Sequence, residues 1–504
     1  MNFWSGMFTF APAESEIDKL LKEDEPSLIE IIENEEFTSE MKTNDSLIEF
    51  ISEDERISQI IQFATLQFSD EINPSQRQTL QMNSIAVFTE DCFEVKEKIA
   101  KSTHFSHQII SVLSSNVSER IAMACIIIKS LLKIQYSQIF TVFKNTEKIV
   151  EMLCDHLNHS EVFDLVYEMM TMQGGQYPKV IEWFCDEGFI EKIISKMIEY
   201  ENDENNILMY SNVLEFMNKI IEWKETILDS PAIDFITRFN NESTLSELID
   251  KIFEDENARP SNMFIQNTFK LFALLLSCSS SKTYSDLGYL PGSSDVVFNH
   301  LDDIENYLDA YADDQTKSTS QIITSIMSCL SELCISGFGS VNESLAERER
   351  LFQIICDILY LENNNCSIMK QEIMKCFIGI LRMKENDGVK IAFMDNGGTF
   401  TYLMDNDKKA VEKKNETNLG PECLTFGSQL MLVIYDEICR VEKCPTLHEK
   451  LGDKSDFTEA MQEFINYMRD VVIPRECKKS NYFNEVKDIL DIDIEGLLNK
   501  EKDI

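Results

Sequence analysis

Glycine and proline are scarce in this chain, 16 and 10 of 504 residues, less than half the usual shares of about 7% and 5%. Sandwiches and barrels need turn residues every 8–12 positions or so. The shortage therefore excludes them and favours long helices with short connections. Basic residues are also few. Against 88 acidic side chains stand 46 lysines and arginines, a formal charge of −42. That charge repels a nucleic-acid backbone and an anionic membrane surface alike and steers in a basic partner surface. No apolar run reaches the roughly 18 residues that mark a membrane-spanning helix. The apolar N-terminus from Met1 to Phe8 has no basic flank and turns acidic at Glu14, unlike a secretory signal. The expected location is cytoplasmic, with the nucleus also open.

Signatures of catalysis are missing too. No Gly-Lys dipeptide exists, so there is no phosphate-binding P-loop, and Gly337-Phe338-Gly339 lacks a third glycine and a preceding strand. Neither a Gly-x-Ser-x-Gly nucleophile elbow nor the Gly-Asp-x-His and Gly-Asn-His-Glu loops of two-metal phosphatases are found. No cofactor is implied and the chain reads as a non-enzyme. His104-x-x-His107 and Cys154-x-His156-x-x-His159 have metal-like spacing. Zinc, however, wants four converging ligands, and Cys154 sits in the apolar run 149–153, so surface histidines near a helix end are the ordinary reading. The fourteen cysteines lie mostly in apolar helical runs such as Ala124-Cys125-Ile126 and read as reduced core residues rather than a disulfide framework.

What the chain does have is helix-start chemistry. Ser15 with Asp18, Ser27 with Glu30, Ser46 with Glu49 and Ser52 with Glu55 all fit Ser-x-x-acid, in which the hydroxyl caps a free N–H and the acid bonds back. Further on, Val180, Ile181, Phe184 and Cys185 form one helical stripe, Gly188 interrupts, and Phe189, Ile190, Ile193, Ile194 and Met197 continue at i, i+3, i+4 spacing. That is a helix hairpin. Similar pairs are drawn for 118–133 with 146–157, 207–223 with 244–253, and 342–361 with 366–383. Units of roughly 35–45 residues, each too small to bury its own apolar face, describe an all-α fold, an α-solenoid of HEAT- or armadillo-like hairpins. A compact helical bundle is the rival. A loop at 282–295 is expected to separate an N-terminal half, 1–281, from a C-terminal half, 296–504, and 405–421 reads as a charged, helix-poor insertion.

Two stretches also carry a resemblance. Phe3-Trp4, then Ser15-x-Ile17-Asp18-x-Leu20-Leu21, an acidic cluster, Ser27-Leu28-x-Glu30, and Lys42 with Asn44 and Leu47-Ile48-Glu49-Phe50-Ile51 resemble the opening of the SAPS-domain family, the regulatory subunits of protein phosphatase 6. Tyr177-Pro178-Lys179-Val180-Ile181-Glu182-Trp183-Phe184 is similar to that family's Tyr-Pro-x-Val-x-x-Trp-Leu segment. The likeness spans roughly the first half, fades near Lys282, and shows no Trp-Asn-Asn segment after it. It implies a regulatory and scaffold subunit whose partner is a phosphatase 6 type catalytic subunit, with a third scaffold subunit also implied. The alternative is an acidic solenoid that captures basic cargo, as transport receptors or chaperones do.

On that resemblance, candidate partner-binding residues are Phe3, Trp4, Asp18, Glu33, Glu35, Glu36, Tyr177 and Trp183. Phe3 and Trp4 sit among Met7, Phe8 and Phe10 outside the first capped helix, and either the chain's own helices or a partner covers them. Trp183 and Trp223 have helical spacing to apolar neighbours, so core packing competes with an anchoring role for both.

Overall fold

The computed structural model describes residues 15–70, 72–90, 92–172, 177–203, 206–226, 232–254, 259–278, 291–311, 317–335, 341, 344–345, 347–360, 367–382, 398–417, 427–428, 430–436 and 455–477. Among these residues every regular element is helical. Contacts divide the chain into one unit of Met1–Lys196 with Asn205–Phe235 and a second of Met197–Glu204 with Ile236–Ile504. The expected boundary at 282–295 falls inside the second unit, and residues 292–295 of that loop begin a helix, Gly292–Asn299.

Within the first unit, eight helices open the chain: α1 Glu16–Leu20, α2 Leu28–Glu33, α3 Phe37–Glu40, α4 Asp45–Ile51, α5 Asp54–Ala64, α6 Pro74–Thr89, α7 Phe93–Lys101 and α8 Thr103–Ser111. The last three of them pack on α9, Ser118–Lys144, which breaks at Gln135 where φ is −138° and ψ is 64°. Next come α10 Ile149–Cys154, α11 Ser160–Thr171, α12 Tyr177–Asp186, α13 Phe189–Glu199 and α14 Ile207–Thr226. The turn between α12 and α13 needs Gly188, whose φ of 72° lies in the left-handed region that a Cβ disfavours. Its N–H closes the end of α12 on the Cys185 carbonyl at 3.0 Å. A chain of aromatic rings then runs through the unit. Phe140 meets Trp183 edge-on at 5.4 Å, Phe184 reaches Phe189 at 5.3 Å, and Phe216 meets Phe163 at 5.0 Å and Phe235 at 5.8 Å.

In the second unit, helices at Asn262–Ser277, Lys317–Ile335 and Ser367–Arg382 pack side by side in sequence order. Gly379 lets the last two close up, since a Cβ there would come within 2.7 Å of Ile335 Cγ1. Residues 405–417, expected to be helix-poor, are instead the second part of a helix at Gly398–Thr417. Asp407 explains the difference. It is fully buried, receives two 2.8 Å bonds from Arg475 and one from the Tyr467 hydroxyl, and so turns a charge that looks solvated in sequence into an internal pair.

One regularity joins these details. Polar contacts between different helices link residues about one repeat apart: Asn83 to the Ile32 carbonyl across 51 positions, Gln108 to Ser58 across 50, Lys219 to Asp164 across 55, Asn262 to Ser318 across 56 and Lys375 to Glu332 across 43. These helices thus dock on helices one repeat away within the same unit, the contact pattern of helical repeats. Four of these five separations exceed the expected 35–45 residues, and the fifth, Lys375 to Glu332, falls within it.

Gly292 tests how tightly one such contact closes. A Cβ there would sit 2.4 Å from the Glu242 N and 2.6 Å from the Asn240 O. These are backbone atoms that cannot swing away. Gly292→Ala is expected to destabilise the second unit by about 1–3 kcal/mol, outweighing the helix-propensity gain of up to ~1 kcal/mol. An unchanged melting temperature, with unchanged hydrogen exchange over 240–299, would contradict this.

Candidate partner-binding surface

The acidic N-terminal helices are held together by their own caps. At α1 the Ser15 Oγ accepts the Asp18 N–H at 3.1 Å, and the Asp18 carboxylate takes the Ser15 N–H in return, a closed capping box. Ser27 does the same service for the Glu30 N–H at 3.4 Å. The other two expected boxes do not form. Asn44 rather than Ser46 caps α4, accepting the Leu47 N–H at 3.1 Å, and α5 starts at Glu53 with no side-chain cap. Asn44 does more than cap, because its amide nitrogen donates to Asp18 at 3.0 Å and to Glu40 at 2.6 Å. One side chain therefore ties α1, α3 and α4 at a single point.

The candidate acids separate on this basis. Asp18 is half-buried in the Asn44 network, whose amide holds its carboxyl below the usual aspartate range. Glu36 accepts the Glu16 N–H at 3.3 Å, capping a neighbouring helix, and Glu33 accepts from Gln76 at 2.8 Å. Glu35 is exposed, as are Glu23, Asp24, Glu25, Glu30 and Glu49. So Glu33 and Glu36, expected to be outside any cap, each make a contact within the chain, although Glu36 is itself as exposed as Glu35.

Aromatic candidates fare differently. Phe3 and Trp4 lie outside the described residues. Tyr177 begins α12. Trp183 is no surface anchor: it is 6% exposed and enclosed by Phe140, Phe143 and Phe184. Trp223 is equally buried, packed edge-on to Tyr167 at 6.5 Å. Neighbouring helices, invisible to local spacing, supply these enclosures.

His156 stands 6.4 Å from His159, and burial lowers its pKa. Burial raises the Cys154 thiol to about 12. Among the described residues no three His, Cys, Asp or Glu side chains converge as a metal site, and no helix is long and apolar enough to cross a membrane.

The conspicuous feature that spacing did not reveal is cationic. Where α6 ends, α7 begins and α9 passes, a cleft of about 360 Å³ is lined by Lys96, Lys129 and Lys133. The signal was there as the i, i+4 pair Lys129 and Lys133 within an apolar helix.

Comparison with known proteins finds distant relatives over about half of the chain. Over 256 residues, 49% of this chain and 29% of the relative, it is 22% identical to serine/threonine-protein phosphatase 6 regulatory subunit 1 of Homo sapiens. This chain is a distant relative of the phosphatase 6 regulatory subunits. Regulatory subunit 3-B of Xenopus laevis is 21% identical over 255 residues, 48% of this chain and 30% of the relative. The matched region thus spans under a third of these relatives' length. No protein-family model matches. Yeast importin-beta overlays 92% of the chain with 61% of its own at 12% identity and a TM-score of 0.24, too loose to inform function.

Asn44→Ala tests the junction. It removes the α4 cap, at a cost of about 1 kcal/mol, and frees the Asp18 carboxyl. Because the folded pKa of Asp18 is depressed, its contribution to stability is present above the ordinary aspartate value of about 3.9 and is lost as pH falls below it. A carboxyl titration by NMR should show Asp18 moving up toward that ordinary value in the variant. An Asp18 titration identical in both proteins would show that Asn44 does not hold it.

Proposed function

We propose that this chain is a non-catalytic regulatory and scaffold subunit that binds a phosphatase 6 type serine/threonine phosphatase catalytic subunit and directs it to substrates or to further subunits. The observation that carries this reading is the homology to phosphatase 6 regulatory subunits over about half the chain. The physical setting supports it. A stack of helical repeats presents surface without an active site of its own, and holding enzyme and substrate on one support raises their effective concentration.

The exposed acids of the N-terminal helices are the proposed contact, since a like pattern at polar positions is not demanded by core packing. Glu30, Glu35 and Glu49 qualify: each is exposed, and no cap depends on its carboxylate. Capture of basic cargo is the second reading, favoured by the charge of −42.

Charge reversal separates the two. Glu30→Lys, Glu35→Lys and Glu49→Lys together should weaken co-purification of a phosphatase 6 type catalytic subunit at least tenfold, with helicity unchanged, while the chain alone leaves a phosphopeptide intact. Undiminished co-purification would remove these acids from the interface. No co-purification by the unaltered chain would overturn the regulatory assignment in favour of basic cargo.

A further inference from the structure

We propose that the cleft between α6, α7 and α9 binds an acidic peptide segment of a partner protein, taking a carboxylate or phosphate group on its lysines and an apolar side chain on its floor. The inference does not rest on the phosphatase reading. On a chain of net charge −42, most of the surface repels anions. The lining of this cleft carries Lys96, Lys129 and Lys133, no carboxylate, and the apolar side chains of Phe93, Ile126 and Ile134.

Existing ion pairs leave these ammonium groups available. Lys129 and Lys133 reach Asp164 and Glu168 only at 3.5 Å each. Asp164 has a closer partner in Lys219 at 2.9 Å. Lys96 donates to the Glu90 carbonyl at 2.6 Å, an interaction that keeps its charge, and the Glu90 carboxylate is held by Lys42 at 2.9 Å. A second observation concerns the apolar part. Phe93 is 59% exposed at the mouth of the cleft, an unusual position for a large aromatic ring and a ready anchor for an incoming side chain. The volume of about 360 Å³ suits one or two side chains rather than a folded surface. Basic ligands are repelled here by the ammonium groups, whereas the carboxylates that prevail elsewhere on the chain attract them.

The test uses the full chain and a fluorescein-labelled peptide of alternating glutamate and leucine, read by fluorescence anisotropy. Two further arms carry phosphoserine in place of glutamate and, as a control, lysine in place of glutamate. The glutamate or phosphoserine peptide should bind, whichever is tighter naming the natural anion, and the lysine peptide should not compete for this cleft. Lys129→Gln with Lys133→Gln should weaken binding at least tenfold and flatten its salt dependence. Phe93→Ala should weaken it at least threefold. Lys96→Gln, which breaks no carboxylate pair, gives the same reading if the double variant loses helicity. Binding that survives Lys96→Gln and Phe93→Ala unchanged, or competition by inorganic phosphate with no effect of Phe93→Ala, would overturn the assignment. Catalytic-subunit co-purification by the same variants is expected to be unaffected, so the two proposals fail separately.

Discussion

Burial of apolar helix faces against helices one repeat away is the constraint on which this structure depends. None of the helices is large enough to bury its own stripe, and a single hairpin such as α12 with α13 leaves Ile181, Trp183 and Phe184 without cover. Their near-complete burial takes other helices, as where Phe140 and Phe143 of α9 close over Trp183. Full burial of each such side chain contributes roughly 1.5–3 kcal/mol, whereas the exposed ion pairs between helices, for example Lys42 with Glu90 at 2.9 Å, contribute about 0–1 kcal/mol. The salt bridges therefore set register more than they hold the stack together.

That division of labour frees the charge for other work. With cores built from Ile, Leu and Phe, the acids need not stabilise anything, and most face water. The exceptions are informative. Asp407, held by Arg475 and Tyr467, is fully buried, and removing one partner of such a pair leaves an uncompensated charge inside. Asn44 joins three short helices through Asp18, Glu40 and the Leu47 N–H, giving α1 to α4 a junction that propensity alone would not provide. The lysine-lined cleft beside α9 reverses the prevailing sign.

Local features were legible in the sequence and non-local ones were not. The helical class, the Gly188 hairpin and the Ser15 and Ser27 caps each depend on residues within a few positions of one another. The competition between Asn44 and Ser46 for α4 was decided by partners at Asp18 and Glu40, which no local pattern names. Glu33 and Glu36 looked unengaged because Gln76 and the Glu16 N–H lie 43 and 20 positions away. Residues 405–417 looked like a solvated insertion because the partner of Asp407 is 68 positions on. Trp183 resembled an anchor only while its aromatic neighbours, two on α9, were out of view. In each case the missing information was a contact between different helices.

Carbodiimide cross-linking of lysine to carboxylate in the intact chain, read by mass spectrometry, addresses that contact pattern directly. Within each unit, the account predicts links such as Lys98 to Asp54, Lys219 to Asp164 and Lys375 to Glu332, whose side chains stand 2.7, 2.9 and 2.6 Å apart, with separations in sequence of about one repeat. Abundant links within a unit between residues several repeats apart, with these three missing, would mean a compact bundle and would contradict it.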